Sequence, residues 1–175
     1  MSKETVGRIL QAAENLIREG GYHAFSFRQI ADQLGIKSAS IHYHFPTKEK
    51  LGETVARGYA ERFKQGLGLP DRPDALRHFA TMFRGAIERD GKSCLCGVLA
   101  AESGKLSPEI NRIVLGFARD LIAWLEQALI AQGQSAAVAR DRGALWFYAL
   151  QGAIHFSALE ENVDPIDIVE RSLSR

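Results

Sequence analysis

A run of hydrogen-bonding side chains follows Gly35 and occupies the outward positions of a short predicted helix. Its members are Lys37, Ser38, Ser40, His42 and Tyr43. These groups can donate to phosphate oxygens or to the edges of bases. The run therefore predicts binding in the major groove of duplex DNA rather than catalysis.

The residues around this run have the spacing of a helix-turn-helix. Ala31 is small, which allows the second helix to cross close to the backbone, and Gly35 favours the left-handed turn between the two helices. Ile41 points inward and holds the second helix against the first. The remaining apolar frame comprises Ile30, Leu34, Ile36 and Phe45.

Local signals set the ends of the helices in this region. Ser26 with Gln29 three residues later forms a capping box, which predicts a helix running to about Leu34. A short helix from about Lys37 to His44 is the predicted recognition helix. Thr47 then caps a long helix that reaches about residue 66.

The rest of the chain also has helical periodicity, and no segment alternates as a strand would. The sequence predicts an all-α protein of about nine helices, with a three-helix helix-turn-helix domain at residues 1–48. A helical domain for effector binding and dimerisation is predicted at residues 49–175. The later helices are predicted at about 74–89, 94–103, 107–132, 136–160 and from 165 onwards.

Composition and charge are those of an ordinary globular protein. Of the 175 residues, 46% are hydrophobic and 25% are charged, and the net charge is +1. Residues 1–50 hold seven Lys or Arg against five Asp or Glu, so the slight basic excess lies at the helix-turn-helix end. No signal sequence or membrane span is evident, which predicts a cytoplasmic protein without a membrane partner.

Two helices carry more apolar surface than a single domain requires. The helix near 108–132 has two apolar stripes, and residues 143–159 carry no formal charge. One interpretation is a single large core. The interpretation we favour is a homodimer that pairs the helices near 108–132 and 136–160 with their copies, because a two-fold DNA-binding protein needs such an interface.

The later helices also supply candidates for an effector pocket, since such pockets are mainly apolar with a few polar groups. For each residue the alternative is a place in the ordinary core. The candidates are Phe79, Met82, Phe83, Cys94, Cys96, Leu99, Phe117, Leu121, Trp124, Phe147, Tyr148 and His155.

The pair Cys94 and Cys96 has three interpretations. The thiols are buried hydrophobic groups, or one is a thiolate that senses an oxidant or electrophile, or the pair binds metal. Two ligands without a close third are too few for a structural metal site, so no metal and no cofactor are predicted.

The segment Phe27–Ile36, followed by Ser40–Leu51 with its Tyr43-His44-Phe45 triplet, resembles the tetracycline-repressor (TetR/AcrR) family of bacterial transcription regulators. The resemblance covers about residues 5–52. It implies base-edge contacts from Lys37, Ser38, Ala39, Ser40 and His42, and phosphate contacts from Tyr43, His44 and Lys48. His42 departs from the tyrosine commonest there, and Ser26, Arg28 and Gln29 complete the candidate DNA contacts.

The resemblance implies a repressor that leaves its operator when a small-molecule effector binds the domain formed by the later helices. If one of the two cysteines is a sensor, this effector is thiol-reactive. The alternative is a small-molecule-binding or protein-interaction module whose helix-turn-helix does not bind DNA. The sequence contains no glycine-rich phosphate loop, nucleophile elbow or metal-ligand spacing, so an enzyme is not predicted.

Overall fold

The computed structural model describes residues 3–157, 159 and 163–173, with the side chains of residues 86–90 left out. All regular structure in these residues is helical, which confirms the predicted all-α fold. The α-helices are α1 Lys3–Gly20, α2 Phe27–Leu34, α3 Ser38–His44, α4 Lys48–Leu67, α5 Ala75–Asp90, α6 Leu95–Ala101, α7 Pro108–Ala131, α8 Ala136–Ser157 and α9 Pro165–Leu173.

Most helix ends fall within two residues of their predicted positions, because capping residues and glycines determine them locally. The last predicted residues of α8, up to Glu160, include positions outside the described residues. Two 3₁₀ turns, Tyr22–Ala24 and Ser103–Lys105, were not predicted. Three residues are too few to show a periodic pattern, so a turn of this length leaves no signal in the sequence.

The first compact unit contains Met1–Glu61 and Leu95–Leu115. Its core includes Ile9, Ile17, Ile30 and Ile41, which are excluded from solvent, and the buried ring of Phe25. The predicted second domain, 49–175, includes residues 95–115, whereas the tertiary contacts group those residues with residues 1–61.

The second compact unit contains Arg62–Cys94 and Gly116–Arg175. Its core is aromatic and includes Phe79, Phe83 and Trp146. Gly143 of α8 lies against α7, since a Cβ atom there would be 3.1 Å from the backbone nitrogen of Glu126. Helices α7 and α8 are therefore packed closely in this unit.

The residues that the structure describes contain no helix that is both long and apolar enough to span a bilayer.

Candidate nucleic-acid interface

The turn between α2 and α3 has the predicted geometry. Gly35 follows α2 in the left-handed conformation, with φ of 65°. The backbone N–H of Ile36 donates to the carbonyl of Ala31 at 3.0 Å, which closes the end of α2. Ala31 and Ile41 are both buried, so α3 is held against α2 through one face only.

The opposite face of α3 is open to solvent. Tyr43 has 81% of its surface exposed, and the side chains of Ala39 and His42 are also exposed. Lys37 is exposed at the N-cap position, while Ser38 and Ser40 are half-buried. With this exposure, Tyr43 is a surface residue and not part of the aromatic core.

The two histidines of α3 have different surroundings. The exposed ring of His42 meets the ring of Phe27 edge-on, with centroids 4.5 Å apart. His44 is half-buried, and its Nε2 atom is shielded from solvent without a hydrogen-bond partner in the protein. The ring of His42 is therefore accessible from solvent, whereas only part of the His44 ring is accessible.

The candidates at the start of α2 are engaged locally. Ser26 caps the helix by accepting a hydrogen bond from the backbone N–H of Gln29 at 3.2 Å, and its hydroxyl donates to the Gln29 side chain at 3.0 Å. This confirms the predicted cap at Ser26, although the Gln29 side chain pairs with the Ser26 hydroxyl and not with its backbone N–H, as a full capping box would. The side chain of Arg28 is 91% exposed and lies 3.9 Å from Asp32, an ion pair of little strength in water.

Lys48 stands at the start of α4, where the first turn offers free backbone N–H groups. The residue is half-buried, and its ammonium group lies over two aromatic rings. Nζ lies 4.5 Å from the ring centre of Phe25 and 5.0 Å from that of Tyr22. Burial lowers the pKa of Lys48, and the nearby carboxylates of Glu49 and Glu102 oppose this effect.

Glu102 contacts this region of the first unit and was not among the predicted site residues. It follows α6, and its Oε1 atom accepts a hydrogen bond from the backbone N–H of Tyr22 at 3.2 Å. Its Oε2 atom is buried without a hydrogen-bond partner and lies 4.0 Å from Nε2 of His23. About eighty residues separate Glu102 from Tyr22 in the chain, so no local pattern could have indicated the contact.

Tyr22 was also missed. Its side chain is buried, and its hydroxyl has no hydrogen-bond partner. Burial, assisted by the carboxylates of Glu49 and Glu53, raises the pKa of Tyr22 to about 12. Gly52 leaves room for this ring, because a Cβ atom there would lie 2.6 Å from Cε2 of Tyr22.

Most of the candidate effector residues in the second unit form a connected aromatic cluster. Phe63, which was not predicted, lies 4.9 Å from Phe83 and 5.4 Å from Phe117 between ring centres. Phe79 is 5.1 Å from Phe83 and stacks on Trp124 at 5.7 Å. Leu121 and Phe147 are buried as well, and Cys96 and Leu99 are buried in the first unit.

Two of the candidates are not inside the single chain. Tyr148 is 62% exposed, and His155 is exposed with its Nδ1 atom 2.7 Å from the carbonyl of Gln151. In the single chain these two candidates therefore lie at the surface and not in the core. Residues 143–159 carry no formal charge, so the sequence of α8 does not show which side of the helix is covered by neighbouring helices.

Both thiols are buried, as in the first interpretation of the cysteine pair. The Nε2 atom of Gln151 donates to Sγ of Cys94 at 3.7 Å, and the Oε1 atom of Gln151 is buried without a partner. Gln151 was not among the candidates, although it is a lone amide in an uncharged run. No group of three or more His, Cys, Asp or Glu side chains among the described residues is placed to hold a metal ion.

A separate pocket of about 370 Å³ opens in the second unit and contains none of the predicted residues. Its lining residues are Pro73, Asp74, Leu76, Arg77, Gln132 and Glu170.

A fixed glycine turn, a buried inner face and an exposed polar outer face define α2 and α3 as a DNA-binding helix-turn-helix, in an all-helical regulatory protein. The chain belongs to the tetR family of bacterial regulatory proteins. The profile of that family matches residues 9–55, and residues 73–172 match the LmrA/YxaF-like transcriptional regulator C-terminal domain.

Individual relatives agree with this assignment. The HTH-type transcriptional repressor KstR2 of Mycobacterium tuberculosis is 36% identical over 55 residues, a match that spans 31% of this chain and 28% of that relative. The regulator LmrA of Bacillus subtilis is 23% identical over 91% of this chain and 89% of its own length. A crystal structure of a TetR transcriptional regulator from Legionella pneumophila is 28% identical and superposes with a TM-score of 0.89, covering 99% of this chain and 97% of that one.

Proposed function

We propose that this chain is a homodimeric, cytoplasmic transcriptional repressor that binds an operator through α3 and leaves it when a small molecule binds the second unit. It acts by binding and not by catalysis. The observation that carries the proposal is the division of α3 into a buried face at Ile41 and an open face that bears Tyr43.

The open face of α3 matches the requirements of a major groove. The side chains that face the base edges of the groove are those of Lys37, Ser38, Ala39, Ser40 and His42. Polar groups there contact base edges, and Ala39 leaves space for a thymine methyl group. The hydroxyl of Tyr43 contacts a phosphate and fixes the depth of the helix in the groove.

Dimerisation through α8 is supported by an apolar stripe that the single chain leaves exposed. We call Val138, Leu145, Tyr148 and Phe156 the dimer face. These residues lie on one side of the helix, and between 49% and 62% of the surface of each is exposed. Ile130 of α7 is 43% exposed in the same unit. A contiguous apolar surface of this kind is typical of an interface, and a second copy supplies the two-fold axis that a palindromic operator requires.

The effector site proposed here is the aromatic cluster around Phe79, Phe83 and Phe117. Gln151 of the same unit is the polar candidate, because its buried Oε1 atom has no hydrogen-bond partner and its Nε2 atom donates to Cys94. A partly aromatic molecule with one hydrogen-bond donor would satisfy both features. Such a ligand shifts the equilibrium between the operator-binding conformation and the released conformation only as far as its affinities for the two differ.

Titration of the protein with fluorescent duplex DNA from upstream of its own gene, over a series of salt concentrations, tests the proposal. We expect tight binding that unlabelled random duplex does not displace. The logarithm of the binding constant should fall with the logarithm of salt concentration at a slope of about −0.9 for each phosphate contacted.

Equal affinity for the upstream and random duplexes would refute sequence-specific binding. Complete absence of binding at low salt would favour a helical binding module whose helix-turn-helix does not engage DNA.

A further inference from the structure

The solvent-exposed residues of α3 form a single stripe. Its members are Ala39, His42 and Tyr43, and His42 and Tyr43 follow Ala39 by three and four positions, which places them on one side of the helix. Ser38 and Ser40 are half-buried, and a hydroxyl that both donates and accepts discriminates little between base pairs. Since Tyr43 is assigned to a phosphate, His42 is the hydrogen-bonding side chain of the stripe that is left to recognise a base.

The ring of His42 is restrained although it is exposed. Phe27, the first residue of α2, is buried, and its ring meets the ring of His42 edge-on, with centroids 4.5 Å apart and planes 67° apart. An aromatic contact of this geometry favours one orientation of the imidazole. A side chain that is ordered before binding loses less conformational entropy when it forms a contact, so Phe27 prepares His42 for a specific partner.

The hydrogen-bonding groups of this ring have no partner inside the protein. Within the part of the chain that the structure describes, the ring nitrogens of His42 form no hydrogen bond and no ion pair. His44 differs, because its Nε2 atom is shielded from solvent. The capacity of the His42 ring to form hydrogen bonds is therefore free for a ligand outside the chain.

The chemistry of an imidazole selects among the base edges of the major groove. The ring carries at least one N–H donor in either protonation state, and the negative potential of DNA attracts that donor. Guanine presents two acceptors, N7 and O6. Adenine combines an acceptor with an amino donor, cytosine presents an amino donor, and thymine has a methyl group beside its acceptor. Guanine is therefore the base edge that best suits a donating imidazole.

From this arrangement we infer that His42 is a specificity-determining residue that donates a hydrogen bond to the major-groove edge of a guanine in each operator half-site. Phe27 is its positioning residue. The inference rests on the proposed function, since it assigns a base to one of the proposed contacts. The other side chains of α3 contribute affinity, whereas the preference for G·C over A·T at this base pair depends on His42.

The test measures the affinity of the wild-type chain and of His42→Ala for the upstream duplex in which each G·C pair in turn is replaced by A·T or by inosine·C. Inosine is the control base, because it keeps N7 and O6 of guanine and lacks only the amino group in the minor groove. His23→Ala is the control variant. It removes the same side chain from a 57% exposed position in the first unit that is not among the proposed DNA contacts.

For the wild-type chain, we expect one G·C pair in each half-site at which A·T weakens binding about tenfold or more and inosine changes it less than about twofold. For His42→Ala, the A·T replacement at this pair should cost less than about twofold, while the penalties at the other pairs remain. His23→Ala should keep the wild-type pattern at every pair.

Phe27→Leu tests the positioning role. The variant keeps an apolar side chain in the core but removes the ring that restrains His42. Discrimination at the His42-dependent pair should fall about threefold, whereas the penalties at the other pairs should stay at their wild-type values. A general loss of stability would not act on one base pair alone. Because Phe27 is buried, the result for the exposed His42 decides the inference if this variant does not fold.

A His42→Ala chain with the wild-type penalty at every G·C pair would overturn the inference. A wild-type penalty for inosine as large as that for A·T would overturn it too, because the amino group in the minor groove would then be the feature that is recognised. The proposed function would survive either result, since the chain would still prefer the upstream duplex. Equal affinity of the wild-type chain for the upstream and random duplexes would refute the proposed function and the inference together.

Discussion

Replacement of Tyr148 by Glu should separate the proposed dimer into monomers. Tyr148 is 62% exposed in the single chain. A tyrosine side chain of about 200 Å² then has about 120 Å² left to bury. At about 25 cal/mol for each Å², that area contributes at most about 3 kcal/mol per copy.

The residue occurs twice in a two-fold interface, so the loss is at most about 6 kcal/mol. This corresponds to a dimer dissociation constant higher by up to about four orders of magnitude. The carboxylate of the variant adds the cost of burying a charge. Sedimentation equilibrium over a range of protein concentrations measures the change.

Leu69→Glu is the matched control. Leu69 is 73% exposed in the segment between α4 and α5, outside the dimer face, so its substitution introduces the same charge at a different apolar site. The reasoning fails if Tyr148→Glu sediments as a dimer with the wild-type dissociation constant, or if Leu69→Glu dissociates the protein to the same extent.

Two further substitutions and one chemical modification test the DNA interface, the buried phenol and the thiols. Tyr43→Phe should weaken operator binding about a hundredfold by anisotropy, since each subunit loses a hydrogen bond to phosphate of about 1.5 kcal/mol; unchanged affinity would exclude that contact. Tyr22→Phe should leave the free energy of unfolding in urea at pH 7 unchanged or raise it by about 1 kcal/mol, because it removes a buried hydroxyl without a partner. The pKa of Tyr22 is raised from 10.0 to about 12, so ionisation of the phenol is disfavoured in the folded chain. The free energy of unfolding should therefore not depend on this group below pH 10 and should fall as the pH rises toward 12. Tyr22→Phe should abolish the part of this fall that ionisation of Tyr22 causes. Cys94 and Cys96 are buried, so an aromatic disulfide reagent should modify them only after urea unfolds the protein, and fast reaction of the folded chain would restore the sensor hypothesis.

The helix-turn-helix could be predicted from the sequence because its determinants are local. Ser26 caps α2 through a residue three positions away, and Gly35 provides the one left-handed conformation that the turn needs. Ile41 and Tyr43 alternate between the buried and exposed faces by the geometry of a helix. Each of these relations lies within one or two helical turns.

The environment of Lys48 could not be predicted in this way. Local sequence placed the residue at the start of α4 and indicated a phosphate contact. Its Nζ atom lies over the rings of Tyr22 and Phe25, which precede α2. The side chain lies there because residues more than twenty positions earlier in the chain place two rings beside it.

The sequence by itself determined where the helices begin and end and which polar groups the second helix of the DNA-binding motif carries. Capping, glycine conformation and helical period act over a few residues, and they can be seen without a structure. Only the tertiary structure decided which face of α8 is left open and which rings Lys48 contacts. Those outcomes depend on the packing of distant segments, where burial and electrostatic energy are set by neighbours that no local pattern identifies.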